Sequence, residues 1–599
     1  MIQDKNLNAL KEKYPKLLEI INRTNIDIML VSTAKSGELT AQINNNYIHS
    51  KYDPVKEADK VSENLKKSDL FVLGGFGLGY QCQSIIKHFP NSLIVVYDPS
   101  LEIFIDSLKY KDISNIILNK NVIFLTGLSP DYIKDFLIPN KIEKVTYIPL
   151  INRVKDDPEP FQKLEEIIRL YNTRIEINKN TLKKFGKLWV KNQSKNLPLL
   201  GYKKDISVIF GKFKGISGII VSAGPSMEIL IPYLKKLQKN FLILAVDTAF
   251  KSLLEEGIEP DFVMSIDSQY WNARHLEGIK CEKSILIADS SIQPAALREF
   301  KNRVFFVHSS YPLGKYFEKS RVNFPVISSG GSVSTNIWDF SKKLGLDKIY
   351  FIGQDLGFPG NITHYKNSYF EKNMLRTSNR LNTLETQSFS YIFNGYPTFV
   401  TSNNGDKILS DKRMSVYIDW FKEKLSLDSN PNTYTLSPKA CAIEGLEYVE
   451  IETLTNLPSQ RSKIEEILRT LKNREENYYL PNLLESAKNF SNELNNLLQI
   501  AENSYKLALA IMENYKSNKN VDLLLKKLTI NDQKMIQDNL KDTLSFIIQP
   551  YIKEIAESDE KTPLEALEQS IQLYKNIVRT GILHQKYIEH SIYKIATLM

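Results

Sequence analysis

Apolar positions along this chain switch between two periods, and the switches mark out its organisation. Leu7, Leu10, Tyr14, Leu17, Leu18 and Ile21 share one helical face, so residues 1–25 are predicted to form a short helix. Short runs over residues 28–49, divided by polar turns at Lys35-Ser36-Gly37 and Asn44-Asn45-Asn46, read as strands. Four continuous apolar runs follow: Leu70–Leu73, Leu93–Tyr97, Val122–Leu125 and Val145–Pro149. Helical segments separate them, which predicts a parallel sheet covered on both faces. Residues 159–212 carry helical spacing and no strand signal. Strand-like runs resume at Gly218 with Ile219–Val221, Phe241–Ala245, Phe262–Ile266, Ser284–Ile287, Val304–Val307 and Lys348–Ile352. From about 456 the pattern is helical throughout. Leu483, Leu484, Ala487, Phe490, Leu494, Leu497, Leu498 and Ala501 recur at helical spacing, and no glycine lies between Gly445 and Gly581. Thr562-Pro563-Leu564-Glu565 is a capping-box sequence that starts a final helix.

The predicted fold is α/β, with two doubly wound Rossmann-like domains followed by an all-helical C-terminal domain. The expected boundaries are 1–155 for the N-terminal domain, 156–212 for a helical linker, 213–455 for the central domain and 456–599 for the helical tail. A length of 599 residues fits such a multi-domain chain.

Composition narrows the class without naming it. Hydrophobic residues make up 42% and charged residues 25%, so the chain is globular and not disordered. Three cysteines, Cys82, Cys281 and Cys441, cannot pair evenly and none forms C-x-x-C, which suits a reducing, cytoplasmic location. No run of about 18 apolar residues suggests a membrane span, and Met1–Lys5 turns polar at once, unlike a signal peptide. The net charge of +9 is scattered, with no basic arm, so nucleic acid is not an expected partner.

Candidate chemistry sits where strands end. Gly74-Gly75-Phe76-Gly77-Leu78-Gly79 joins a strand to a helix, and Asp98 ends the next strand, 23 positions after Gly75. That arrangement suits a phosphate with a ribose acceptor beyond it. The spacing departs from the dinucleotide fingerprint, because Tyr80 stands where glycine or alanine belongs, and it fits a methyltransferase-type loop better. The alternative is that these glycines only allow tight packing.

A second turn, Ser222-Ala223-Gly224-Pro225-Ser226, follows Ile219–Val221. Here Gly224 is read as permitting an unusual backbone angle and Pro225 as the first helical residue, with the Ser222 and Ser226 hydroxyls beside free N–H groups. Pro232 is expected to cut that helix short. Asp247, Asp267 and Asp289 follow three further strands, so their side chains share one rim as ligand contacts or as turn caps. Ser328-Ser329-Gly330-Gly331-Ser332 precedes another helix and again suits phosphate. The Lys348–Ile352 strand delivers Gly353-Gln354-Asp355 to the same rim. His364, in the polar loop beyond, is the histidine best placed as a general base, and Asp355 is placed to orient it or to hold a sugar.

These residues carry a resemblance. Tyr47-Ile48-His49-Ser50-Lys51-Tyr52-Asp53-Pro54 with Glu57-Ala58, and the 74–79 turn with Tyr97-Asp98-Pro99, are similar to the N-terminal domain of motility accessory factors, the Maf family of flagellin glycosyltransferases. The 218–450 region and the helical tail resemble the rest of that family. The central domain also resembles bacterial CMP-sialic-acid transferases. Their G-N-G-P-S reads Ser222-Ala223-Gly224-Pro225-Ser226 here, their S-G loop matches Ser329-Gly330, and their following strand and acid match Ile349–Asp355. Ala223 replaces their asparagine, and Asp247 and Asp267 stand at two further asparagines. The resemblance implies transfer of a pseudaminic- or legionaminic-type nonulosonic acid from its CMP ester to Ser or Thr of flagellin; the CMP-activated sugar is the donor substrate, and no cofactor is assigned. No D-x-D pair is found, so metal independence is expected. Two other readings remain open at this point: a pterin pyrophosphokinase-like enzyme, and a non-catalytic flagellin-binding protein.

Overall fold

A computed structural model describes residues 2–17, 27–137, 142, 144–203, 206–300, 303–309, 311–319, 324–427, 432–472, 477–536, 547 and 562–599. The chain divides into two compact units, 1–181 and 182–599.

In the first unit, helix Ile2–Lys13 opens the chain, and the later part of the predicted helix lies outside the described residues. A three-stranded antiparallel sheet follows, made of Leu30–Thr33, Leu39–Ile43 and Asn46–Tyr47. The four continuous apolar runs become a parallel sheet in the order Val122–Thr126, Leu93–Asp98, Leu70–Gly74, Val145–Pro149. Leu70–Gly74 is buried along its whole length, which is why it reads as continuous and not alternating.

The second unit is built on eight parallel strands. Their order is Val304–Phe306, Ile285–Ala288, Phe262–Ser265, Leu242–Val246, Gly218–Val221, Ile349–Ile352, Thr433–Thr435, Glu447–Tyr448. The chain builds outward from Gly218–Val221 in one direction through five strands. It then crosses back and continues from Ile349–Ile352 in the other. The order therefore reverses between these two central strands, the place where open α/β sheets form a ligand crevice beyond the strands' carboxyl ends.

Several local expectations are corrected. Residues 156–212 are not a linker throughout: Pro158–Leu200 is one helix of 43 residues, and from Leu182 it belongs to the second unit. There Asn192 donates to the Ser268 and Ser291 carbonyls and Asn196 to those of Ser290 and Ile292, so the helix covers the ends of outer strands. Pro225 lies in a turn, and the helix begins at Met227 after Ser226. Pro232 does not stop that helix, which runs to Leu237; losing one N–H costs a single bond on the exposed Glu228 turn. Asp247 opens helix Asp247–Glu255 instead of trailing its strand. The hairpin Pro397–Thr401/Lys407–Asp411 and the two short outer strands were not foreseen, because their apolar content is too low to stand out.

The tail forms helices Leu480–Lys516, Asp522–Ile536 and Pro563–Leu598. Leu483, Ala487, Phe490, Leu494, Leu497 and Ala501 are buried at helical spacing, as the pattern predicts. The last helix carries the reciprocal Thr562–Glu565 capping box. The tail packs within the second unit: Ser591 Oγ donates to the Ser194 carbonyl, and Phe490 lies against Tyr316 and Phe317.

Candidate functional site

The crevice at the reversal of strand order is lined by hydroxyls and one carboxylate. Ser222 Oγ donates to Gln354 Oε1 at 2.9 Å, and Ser334 Oγ donates to the same oxygen at 2.6 Å. Ser226 Oγ and Ser437 Oγ are bonded at 2.8 Å, and Ser437 Oγ also accepts from Gly353 N–H. Asp355 Oδ2 accepts from Ser226 N–H at 2.9 Å, so that N–H is not free. Asp355 Oδ1 is buried with no hydrogen-bond partner among the described residues. Burial pushes the Asp355 pKa up to about 6, partly offset by Ser226. Gly224 is glycine for a different reason from the one expected. Its Cβ would lie 2.2 Å from Asp355 Oδ2 and 2.4 Å from the Gly353 carbonyl oxygen, so the turn closes onto the acid only without a side chain.

His364 is brought to this crevice by its neighbour: Tyr365 N–H donates to the Ala223 carbonyl. It is not in an open polar loop. Its ring packs 4.2 Å from Phe370 and 6.0 Å from Tyr391, centroid to centroid. Burial lowers its pKa to about 4, helped by the nearby charges of His275 and Arg413, so it is neutral at pH 7. The Thr363 hydroxyl bonds to Glu371, which also accepts from His364 N–H. With its proton directed at Glu371, Thr363 Oγ1 accepts from His364 Nδ1 at 3.2 Å. This assigns the proton to Nδ1 and leaves Nε2 with a lone pair, the form a base requires.

The strand-end acids divide. Asp247 is buried, with Oδ1 bonded to Thr248 N–H and Oδ2 to Asn272 Nδ2, and burial raises its pKa. His275 is close enough for the Asp247 and Asp267 carboxylates to act on it, although burial still lowers its pKa. Asp267 caps its own turn through Gln269 N–H and Nε2. Asp289 accepts from Ser291 N–H.

The 328–332 loop keeps most of its donors for itself. Gly330 N–H goes to Thr335 Oγ1, Gly331 N–H to Ser329 Oγ, and Ser332 Oγ caps the Val333–Leu344 helix through Ser334 N–H. A Cβ on Gly330 would stand 2.5 Å from the Trp420 ring, so this glycine is explained by packing.

In the first unit the glycine turn is filled by the protein. His49 Nε2 accepts from Leu78 N–H at 2.8 Å, so this N–H of the turn is taken by the protein itself. A Cβ on Gly77 would fall 2.3 Å from that nitrogen. Asp98 is engaged on both oxygens by buried Arg153, at 3.2 and 2.7 Å. The packing alternative therefore accounts for this turn.

Sequence reasoning missed Ser334, Ser437, Glu371 and Arg413. Isolated serines carry no motif, and only the return of distant strands assembles them. Among the described residues, no group of three His, Cys, Asp or Glu could hold a metal ion, and no helix is long and apolar enough to cross a membrane.

Residues 191–361 match the family described as 6-hydroxymethylpterin diphosphokinase MptE-like. An uncharacterized protein of Treponema pallidum (strain Nichols) is 26% identical over 252 residues, 37% of this chain and 64% of that protein. A second is 23% identical over 246 residues, covering 39% and 84%. The chain thus spans less than two thirds of the first relative's length. In fold, the chain is similar over 100% of its length to 99% of a solved Maf glycosyltransferase from Magnetospirillum magneticum AMB-1, with a TM-score of 0.63 and 15% identity. The likeness is one of fold: mixed α/β with parallel sheets and a helical C-terminal region.

Proposed function

We propose that the chain is a glycosyltransferase of the Maf type, moving a pseudaminic- or legionaminic-type nonulosonic acid from its CMP ester to Ser or Thr of flagellin. The observation that carries this reading is the hydroxyl-lined crevice at the strand-order reversal. It combines Asp355, with one unengaged oxygen, and a neutral His364 with its Nε2 lone pair available. The whole-length likeness in fold to a Maf glycosyltransferase supports it.

In this mechanism His364 Nε2 takes the proton of the acceptor hydroxyl. The hydroxyl oxygen attacks the anomeric carbon, and the bond from that carbon to the CMP phosphate oxygen breaks with its electron pair. Glu371 and Thr363 hold the imidazole in the required tautomer. Asp355 Oδ1 accepts a hydroxyl of the bound nucleotide sugar. The Met227–Leu237 and Val333–Leu344 helices direct their positive ends toward the departing phosphate.

The match over residues 191–361 favours a second reading, pyrophosphate transfer to a hydroxymethylpterin. Incubating the whole chain with flagellin and a CMP-nonulosonate, and separately with ATP, Mg²⁺ and 6-hydroxymethylpterin, separates them. Intact-mass gain on flagellin supports the first, and pterin diphosphate the second. Flagellin binding without either product would indicate a non-catalytic holder.

A further inference from the structure

The crevice residues Ser222, Ser226, Ser334, Gln354, Asp355 and Ser437 include no cation, yet a sugar nucleotide brings a phosphate and a nonulosonic acid brings a carboxylate. Beyond the partial charges of the two helix ends, a full positive charge for these anions has to come from the mouth. The hairpin Pro397–Asp411 is tied to the segment just after Asp355: Phe358 N–H donates to the Leu409 carbonyl at 2.6 Å, and Ser410 Oγ to the Leu356 carbonyl at 2.8 Å. The hairpin leads directly into helix Lys412–Leu427, whose second residue is Arg413.

Arg413 is held unusually well for a half-exposed cation. Asp411, fully buried, takes its Nε and Nη2 on Oδ2, while Asp411 Oδ1 accepts from the backbone N–H groups of Arg413 and Met414. The guanidinium carbon lies 4.6 Å from the Tyr391 ring centroid, and Tyr391 in turn packs against His364 and Phe370. One turn along the helix, Tyr417 stands against Gly331 of the 328–332 loop. Arg413 thus lies at the rim between the histidine and that loop, with its side chain 46% exposed. Asp411 occupies the Nε–Nη2 edge of the guanidinium and the Tyr391 carbonyl accepts from Nη2 at 3.5 Å, so the Nη1 N–H groups face a ligand.

We propose that Arg413 is the anion clamp of this site, gripping an oxyanion of the donor, its carboxylate or its phosphate, through Nη1. The inference rests on the nucleotide-sugar reading above. Asp411 and Tyr391 act as positioning residues that fix the guanidinium before the donor arrives, so little side-chain entropy is lost on binding.

The test is calorimetric titration of the whole chain with CMP and with CMP-N-acetylneuraminic acid, on wild type, Arg413→Gln and Arg413→Lys, with thermal melts alongside. Arg413→Gln is expected to weaken CMP-N-acetylneuraminic acid roughly 10–100-fold, the scale of a charged hydrogen-bonded contact. Unchanged CMP affinity assigns the clamp to the carboxylate, and an equal loss for CMP assigns it to the phosphate. Arg413→Lys restores part of the affinity, because it keeps the charge and loses the fork. If Arg413→Gln melts early, adding Asp411→Asn removes the stranded buried charge and the titrations are repeated on that pair. Unchanged affinity for both probes in a folded variant overturns the clamp. A wild type that binds neither probe overturns the nucleotide-sugar reading itself, and the clamp with it.

Discussion

The backbone N–H of Ser226 donates to Asp355 Oδ2 at 2.9 Å, joining two residues 129 positions apart across the reversal of strand order. The bond fixes one oxygen of a buried acid, while the other has no hydrogen-bond partner among the described residues. Burial, which this bond only partly offsets, makes the acid costly when charged. With its folded pKa near 6 against an ordinary 3.8, Asp355 holds its proton more tightly in the native state. Its contribution is therefore neutral at low pH and becomes destabilising as pH rises through about 6. Asp355→Asn, which still offers Ser226 an acceptor, is expected to raise stability at pH 8 by roughly 1–3 kcal/mol and to change it little at pH 4. Thermal melts at the two pH values check this. An equal gain at both would assign the effect to packing.

His364→Ala is expected to lower transfer by about 10²–10⁴-fold with little change in CMP affinity. Because burial holds the free imidazole near pH 4, the acidic limb of the wild-type kcat/KM profile should lie there and not near 6.5. Glu371→Gln should give a smaller loss with a displaced acidic limb, since it weakens the hold on the tautomer. An active His364→Ala protein with an unaltered profile would move the base to another residue, His275 first.

In the first unit, His49 is neutral and buried, with a pKa lowered to about 3. A base that resists protonation when folded stabilises the protein fully above its ordinary pKa of 6.5, and that contribution drains away as pH falls toward 3. His49→Gln keeps an acceptor for Leu78 N–H and cannot protonate. It should flatten part of the acid-induced loss of stability while leaving CMP affinity unchanged. A weakened CMP affinity would reopen the glycine turn as a ligand site.

Gly330→Val should disturb the fold before it disturbs chemistry, because its Cβ would press into the Trp420 ring. Overpacking of this kind costs about 1–3 kcal/mol. Gly330→Ala combined with Trp420→Leu should recover stability relative to Gly330→Ala alone. If the double variant melts no higher, the strain lies in the backbone and not in the ring.

Much of the fold was legible because buried parallel strands must be continuously apolar and helices must repeat at their own period. Ile219–Val221, Phe262–Ser265 and the tail stripe from Leu483 to Ala501 are plain on those grounds. The thinner outer strands Thr433–Thr435 and Glu447–Tyr448 were not, since two or three mixed residues carry no period. At the site, Asp355 and the Ser222–Ser226 turn could be found from strand ends alone. Whether a glycine admits a ligand or a neighbour could not, because Gly224, Gly330 and Gly77 are filled by Asp355, Trp420 and His49, residues remote in sequence. Arg413 was invisible for a similar reason: only the hairpin's return beside Leu356–Phe358 gives it a place.

The reversal that creates the crevice also sets a hazard during synthesis. Gly218–Val221 gains its first neighbour, Leu242–Val246, soon after emerging, but its other edge waits for Ile349–Ile352. With Gln354 132 positions after Ser222, a ribosome leaves that edge open for on the order of ten seconds. Until then the nascent chain displays a Gly-Ile-Ile-Val strand unpaired along one edge, the kind of surface that invites association with other chains. Closing this edge and completing the crevice are one event, so a ribosome-bound chain stalled before Ile349 should be both inactive and dependent on chaperones.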